Sequence, residues 1–339
     1  MPAAPHADAP APQMVPTLRS RSSMAGIARD IRIRTLAKDA LMDDCDKPNG
    51  GEPDGGRVEM YKFRSMYGAA PRYWYDSQAV VKVDDEEGFK SASCAKINAL
   101  AMKAERYLLA SGIPPSHPAG FRGNFNAYYW STHRGSTAHP RVSRYCIDHP
   151  VEMKDTREIL EPVRSMIDNI FKRQFPRVYM RYAYAAKFVN DHPRTPDKES
   201  APSIMFFPFA SFCVNTGVHN VICKPHRDSQ NLAYGLCVVI PFGTFTDGAR
   251  LVIEELGMEF EVLAGMPIFF PSALYTHYNT ALVGLGMRGS IVAWTGASIF
   301  QWVELGGKAV SELNEGEKSH YAASADERYS AGFSFFPKL

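Results

Sequence analysis

Apolar positions change their spacing along this chain. From Glu86 to about Ser111, Phe89, Ile97, Leu100, Tyr107 and Leu108 recur at helical intervals, and Gly112 with Pro114-Pro115 ends the run. A second helix is predicted from Asp155 to Phe171, where Ile159, Leu160, Val163, Ile167, Ile170 and Phe171 share one face. Asp155 or Thr156 can cap its start, although Pro162 falls within the first turns. After Pro202 the period shortens. Strand-like runs cover Ile204–Asn215, Ala233–Pro241, Arg250–Glu255, Phe260–Leu263, Ile268–Phe270 and Ile291–Val303, with turn residues at Gly243, Asp247-Gly248, Gly257 and Gly265-Met266-Pro267.

Short strands between glycine-containing turns are the pattern of a jelly roll. The fold expected is α+β: a double-stranded β-helix core over residues 201–339, supported by N-terminal helices. Residues 1–57, with an Ala/Pro-rich start and a Pro/Gly loop at Pro48 to Gly56, read as a poorly structured tail. Residues 58–200 read as a helical, aromatic-rich support region that opens with Tyr61, Phe63, Tyr67, Tyr73, Trp74 and Tyr75. Within it, residues 114–150 read as a long loop carrying Tyr128-Tyr129-Trp130, His133 and Arg134.

An apolar fraction of 45% is enough for a sizeable core, and a net charge of +2 argues against a chain that binds nucleic acid by charge alone. The charge is uneven: residues 101–150 are basic and residues 247–327 acidic. None of the cysteines (Cys45, Cys94, Cys146, Cys213, Cys223, Cys237) has metal-finger spacing. No secretory segment opens the chain and no apolar run reaches membrane-span length. A reducing intracellular location, nuclear or cytoplasmic, is the expectation. The arginines at Arg19, Arg21, Arg29, Arg32 and Arg34 form a weak candidate targeting signal.

The chemistry concentrates at His226-Arg227-Asp228, His277 and Arg288-Gly289-Ser290. On an extended strand His226 and Asp228 point to one face, so both can bind one ion. With His277 they make a 2-His-1-carboxylate set, the donor pattern for non-haem Fe(II) with open coordination positions. Arg288 starts the apolar strand Ile291-Val292-Ala293-Trp294, eleven residues past His277. A buried guanidinium there needs an anion, and a dicarboxylate co-substrate would supply one. Ser290 shares its face. Asn215 and Asn231 are candidate polar groups of the pocket, and Tyr275 and Asn279 flank the second histidine. His219 is a competing ligand candidate.

On these residues the last 140 or so resemble the Fe(II)/2-oxoglutarate-dependent oxygenase superfamily. The run from Phe206 through His226-Arg227-Asp228-Ser229-Gln230-Asn231, Gly243, Gly248, Pro271-Ser272, His277, Asn279, Arg288 and Ser290 to Phe300-Trp302-Val303 looks like a fungal branch near the TET/JBP nucleic-acid oxygenases. The resemblance implies that His226, Asp228 and His277 bind iron and that Arg288 with Ser290 holds the distal carboxylate of 2-oxoglutarate. It also implies O2 as co-substrate, succinate and CO2 as co-products, and hydroxylation of a substrate C–H bond. The chain departs from the pattern at Gly248-Ala249-Arg250, where relatives often carry Gly-Gly, and Arg250 is expected at the pocket rim.

A base-modifying enzyme holds its base out of the stack between apolar or aromatic groups, and the Tyr128-Tyr129-Trp130 loop with His133 and Arg134 is the candidate for that task, with Tyr128 and Trp130 as the substrate-contacting residues. A methylated nucleic-acid base is therefore the candidate substrate. The alternatives are a small-molecule or protein hydroxylase of the same superfamily, an inactive β-sandwich binding module, and a cupin-type metalloprotein. The last leaves Arg288 without a role.

Overall fold

The computed structural model describes residues 33–35, 87–120, 122–135, 137–195, 204–216, 220–254, 258–260 and 262–335. Most of the expected tail, the aromatic stretch Tyr61–Tyr75, and His219 lie outside these residues.

A helical layer forms first along the chain. Helix α1 (Glu87–Ser111) buries Ile97, Ala101, Ala104 and Leu108. A short α2 (Arg144–Asp148) leads into α3 (Pro150–Gln174), which starts with Pro150 in its first turn, where a missing N–H costs nothing, and runs through Pro162. Its buried face is Met153, Thr156, Leu160, Val163, Ile167, Ile170 and Phe171. Helix α4 (Pro176–Asp191), which the apolar spacing did not separate, buries Val178, Tyr182, Ala185, Ala186 and Val189. The two meet the sheet through Phe171, whose ring stacks on Phe209 at 5.3 Å, and through Tyr182, whose hydroxyl binds both the N–H and the C=O of Leu236.

The expected loop at 114–150 is instead largely ordered. Strand β2 (Asn126–His133) and β3 (Arg141–Val142) lie in the same sheet as β4 (Ser211–Thr216), β5 (Cys237–Gly243), β8 (Ile268–Phe270) and β10 (Arg288–Trp294), in the order β3-β2-β4-β10-β5-β8. All these pairings are antiparallel. The sheet thus draws a strand from the supposed support region, and the boundary expected at residue 201 cuts through it. A second antiparallel sheet has the order β1-β7-β6-β9, with β1 (Ile33–Thr35), β6 (Leu251–Ile253), β7 (Met258–Phe260) and β9 (His277–Asn279). Two antiparallel sheets with helices are what the structure gives of the expected jelly roll.

The strand expected at 291–303 stops at Trp294. Gly296 starts α5 (Ala297–Glu304), and α6 (Glu315–Ala323) and α7 (Ala325–Phe333) follow. Among the described residues, no helix is long and apolar enough to cross a membrane.

Side-chain alternation across the six-stranded sheet separates core from cavity. Tyr128, Trp130, Phe212, Val214, Val238, Ile240, Phe242, Ile291 and Ala293 join the apolar core beneath the helices. Tyr129, Ser131, Cys213, Asn215, Val239, Arg288, Ser290, Val292 and Trp294 face a cavity on the other side. Gly289 is required here: a Cβ on it would come within 2.2 Å of the Phe242 ring.

Candidate metal centre

His226 and His277 are brought together by the backbone. They form an antiparallel bridge, with His226 N donating to His277 O at 3.2 Å and His277 N to His226 O at 2.9 Å. Directly opposed residues project to the same face, and the ring centroids lie 4.3 Å apart. Asp228 is held two residues on by its own N–H, which donates to Ser272 O at 3.0 Å. One ligand atom from each of His226, Asp228 and His277 falls within 4.8 Å of the others.

The tautomers suit a cation. His226 Nδ1 lies 2.7 Å from Lys224 O, and His277 Nδ1 lies 2.9 Å from Tyr275 O. A carbonyl can only accept, so each Nδ1 carries the proton and each Nε2 keeps its lone pair for a ligand role. Burial and the neighbouring His226 push the His277 imidazole down to about 4, and burial also lowers His226. Burial alone would raise the Asp228 carboxyl, but the Arg122 guanidinium above all outweighs it and holds it below the usual range. Neutral imidazoles beside an ionised carboxylate are the state in which these groups bind a divalent ion.

Asp228 has supports the sequence did not disclose. Arg122 Nη1 donates to its Oδ1 at 2.7 Å, although the two residues are 106 apart in the chain. Asn231 Nδ2 lies 3.5 Å from Oδ2 and donates to Ser272 Oγ at 3.1 Å. Asn231 therefore orients the carboxylate.

Arg288 stands in the same cavity, 6% exposed, and burial lowers its guanidinium to about 10. Nη1 donates to Val221 O at 2.8 Å, while Nε is buried without a partner. Ser290 Oγ accepts from Asn215 Nδ2 at 2.9 Å, across the registered β4–β10 pair. Asn279 fastens the segment over this end: its Nδ2 donates to Val221 O at 3.0 Å and its Oδ1 accepts from Cys223 N at 2.9 Å.

The cavity, of about 540 Å³, thus gathers His226, Asp228, His277, Arg288, Ser290, Asn215, Asn231 and Asn279. Tyr275 acts through its carbonyl and does not line it. Tyr128 and Trp130 are corrected: they are 3% and 0% exposed in the core, because the alternation of β2 turns them away. Tyr129 is the β2 aromatic that faces the cavity, with the His117 ring at 4.1 Å and the Trp294 ring at 5.5 Å. Arg250 is also corrected: it is absent from the cavity wall and pairs with Asp247 at 2.8 Å. Ala249 before it has φ +49°, the left-handed backbone that explains glycine at this turn.

No family model matches the chain, and no curated protein matches it. Among solved structures it is similar to NgTET1 in complex with 5mC DNA, with 16% identity over 59% of this chain and 67% of that one and a TM-score of 0.43. An oxidoreductase of the 2OG-Fe(II) oxygenase family from Burkholderia pseudomallei shares 14% identity over 74% of this chain and 93% of its own, with a TM-score of 0.35. A prolyl-4-hydroxylase of Pseudomonas putida shares 11% over 60% and 87%, with a TM-score of 0.30. At these identities and scores the likeness assigns no function, and the functional reading rests on the side chains of the cavity.

Proposed function

We propose that this chain is an Fe(II)- and 2-oxoglutarate-dependent oxygenase that hydroxylates a C–H bond. The observation that carries the reading is the buried, partly unpartnered Arg288 in the same cavity as a His226/Asp228/His277 cluster. An unsatisfied buried guanidinium costs stability unless an anion joins it. A metal cluster alone, as in a cupin, gives it no partner; a dicarboxylate does.

The residues present fit both groups. His226 Nε2, His277 Nε2 and an Asp228 oxygen would hold the iron, and Arg288 with Ser290 the far carboxylate of 2-oxoglutarate. When bound, these groups supply the oxidising chemistry, with the keto acid leaving as succinate and CO2. The protein's own part is positional. Lys224 O and Tyr275 O fix the imidazole tautomers, Arg122 and Asn231 fix the carboxylate, and the apolar sheet beneath keeps Arg288 dry.

The finer part of the proposal is the substrate, a methylated nucleic-acid base, near the TET/JBP nucleic-acid branch. Half-buried Tyr129, Trp294 and His117 supply ring surfaces in the cavity, and Arg134 and Arg227 supply cations on its wall. A base taken out of its stack needs both.

The test is succinate release from 2-oxoglutarate with Fe(II), ascorbate and O2, beside Asp228→Ala. Release by the wild type alone is expected. Absence of both release and Fe(II) binding would leave a non-catalytic binding module as the better account.

A further inference from the structure

A second cavity, of about 630 Å³ and more open than the first, adjoins the metal site. The two share Arg134, Gly135, Ser229, Gln230 and Ser298, so they adjoin along one wall. Neither the metal cluster nor the Arg288 end reaches into the second part. Its start is nonetheless close to the chemistry, because Gln230 follows Asp228 by two residues and its Cα can be no more than about 7 Å away. The shared wall is held by backbone hydrogen bonds: Ala297 N donates to Gln230 O at 2.8 Å, and Asn231 bridges Gly296. The wall is therefore built before any ligand arrives.

The chemistry of the second cavity is specific in kind. Tyr329 contributes a half-exposed ring, whereas Tyr321 and Tyr234 already carry the guanidinium groups of Arg328, at 3.6 Å, and Arg181, at 4.8 Å; Gln230 and Gln301 contribute amides. Among the described residues its one carboxylate, Glu304, is engaged by Arg181, by Arg328 at 3.8 Å and by the Tyr321 hydroxyl at 3.3 Å. At the junction stands Arg134. It donates to three neutral acceptors, Ala138 O, Ser298 O and Gln301 Oε1, at 3.0–3.1 Å, and among the described residues no carboxylate pairs with it. A cation at the neck, with a ring and amides beyond, matches a linking phosphate followed by a planar, hydrogen-bonding unit.

We infer that the second cavity receives the neighbouring nucleotide of a single-stranded nucleic acid whose reacting base enters the first cavity. Arg134 meets the phosphate between the two units, and the Tyr329 ring takes the neighbouring base. This inference rests on the nucleic-acid form of the function proposed above. A duplex would have to open to occupy both, since paired and stacked bases cannot lie in two adjoining cavities.

The test is fluorescence anisotropy with fluorescein-labelled single-stranded DNA, single-stranded RNA and duplex DNA of mixed sequence, titrated with the full chain. A single strand is expected to bind more tightly than duplex, and the DNA and RNA arms identify which strand is preferred. Tyr329→Ala, at a residue 43% exposed on α7, is expected to weaken single-strand binding about tenfold. Arg134→Gln is expected to weaken it and to reduce the slope of log affinity on log salt by about 0.7, the share of one phosphate contact. Tyr184→Ala, exposed on α4 and outside both cavities, is expected to change neither quantity. Strand binding equal in wild type, Tyr329→Ala and Arg134→Gln would overturn the inference. So would a wild-type protein that releases succinate yet binds no strand, a result that leaves the oxygenase reading standing. Tyr329-dependent strand binding without iron binding or succinate release would support the second cavity's role and remove the oxygenase reading.

Discussion

At the scale of single residues, Arg288 sets function against stability. Its Nε is buried without a partner, and Val221 O, which accepts from its Nη1, also accepts from Asn279 Nδ2. Arg288→Met therefore leaves that carbonyl satisfied while removing a buried cation. In metal-free protein without 2-oxoglutarate, this variant is expected to be more stable than the wild type by about 1 kcal/mol in urea unfolding. On the function proposed above, 2-oxoglutarate is expected to raise the melting temperature of the Fe(II)-loaded wild type and not that of this variant. His277 gives a pH signature. Its folded-state pKa lies below its ordinary value, so between about 6.5 and 4 the unfolded chain binds more protons than the folded one. Stability of the metal-free protein is complete above that window and falls as pH drops through it. Urea midpoints from pH 7 to pH 4 measure this, and His277→Gln should flatten the fall. The cluster of His226, Asp228, His277 and Arg288 in one cavity was legible because strand geometry puts His226 and Asp228 on one face and because an arginine starting an apolar strand is conspicuous. Arg122 was not legible: its contact with Asp228 spans 106 positions, and nothing local marks one arginine in a basic segment as the one that returns.

At the scale of elements, β2 is the clearest divergence from expectation. Its sequence Asn126 to His133 is aromatic-rich without a sharp apolar–polar alternation, so neither its strand character nor its phase could be read locally. Aromatic residues fall on both faces: Tyr128 and Trp130 meet the core under the helices, and Tyr129 with Ser131 meets the cavity. The phase now makes a prediction. Trp130→Ala, emptying a fully buried site, should cost about 3–5 kcal/mol, whereas Tyr129→Ala, on the cavity face, should cost about 1 kcal/mol. Paired urea melts decide it; equal losses would mean that the strand is shifted by one residue. The helices divide in the same way. The face of α3 was plain from its 3.6-residue spacing, while α5 was hidden because only Thr295-Gly296-Ala297-Ser298 separates the apolar run of β10 from Ile299, Phe300, Trp302 and Val303.

At the scale of the whole molecule, the six-stranded sheet joins what the sequence seemed to divide. Removing residues before 201 would take away β2, which is hydrogen-bonded to β4 along its length, and would bare an edge of a wholly buried strand. A fragment of residues 201–339 is expected to be unfolded or aggregated by circular dichroism and size-exclusion chromatography, in contrast to the full chain. The strand order has a further consequence for how the chain is made. β10 lies between β4 and β5, although it leaves the ribosome after both. Until residue 294 has emerged, β4 and β5 each wait with an open apolar edge, exposed to association with other nascent chains. The same late strand carries Arg288 and Ser290, so no shorter nascent chain can complete this cavity. Closure of the sheet and completion of the pocket are a single event, set by the emergence of β10.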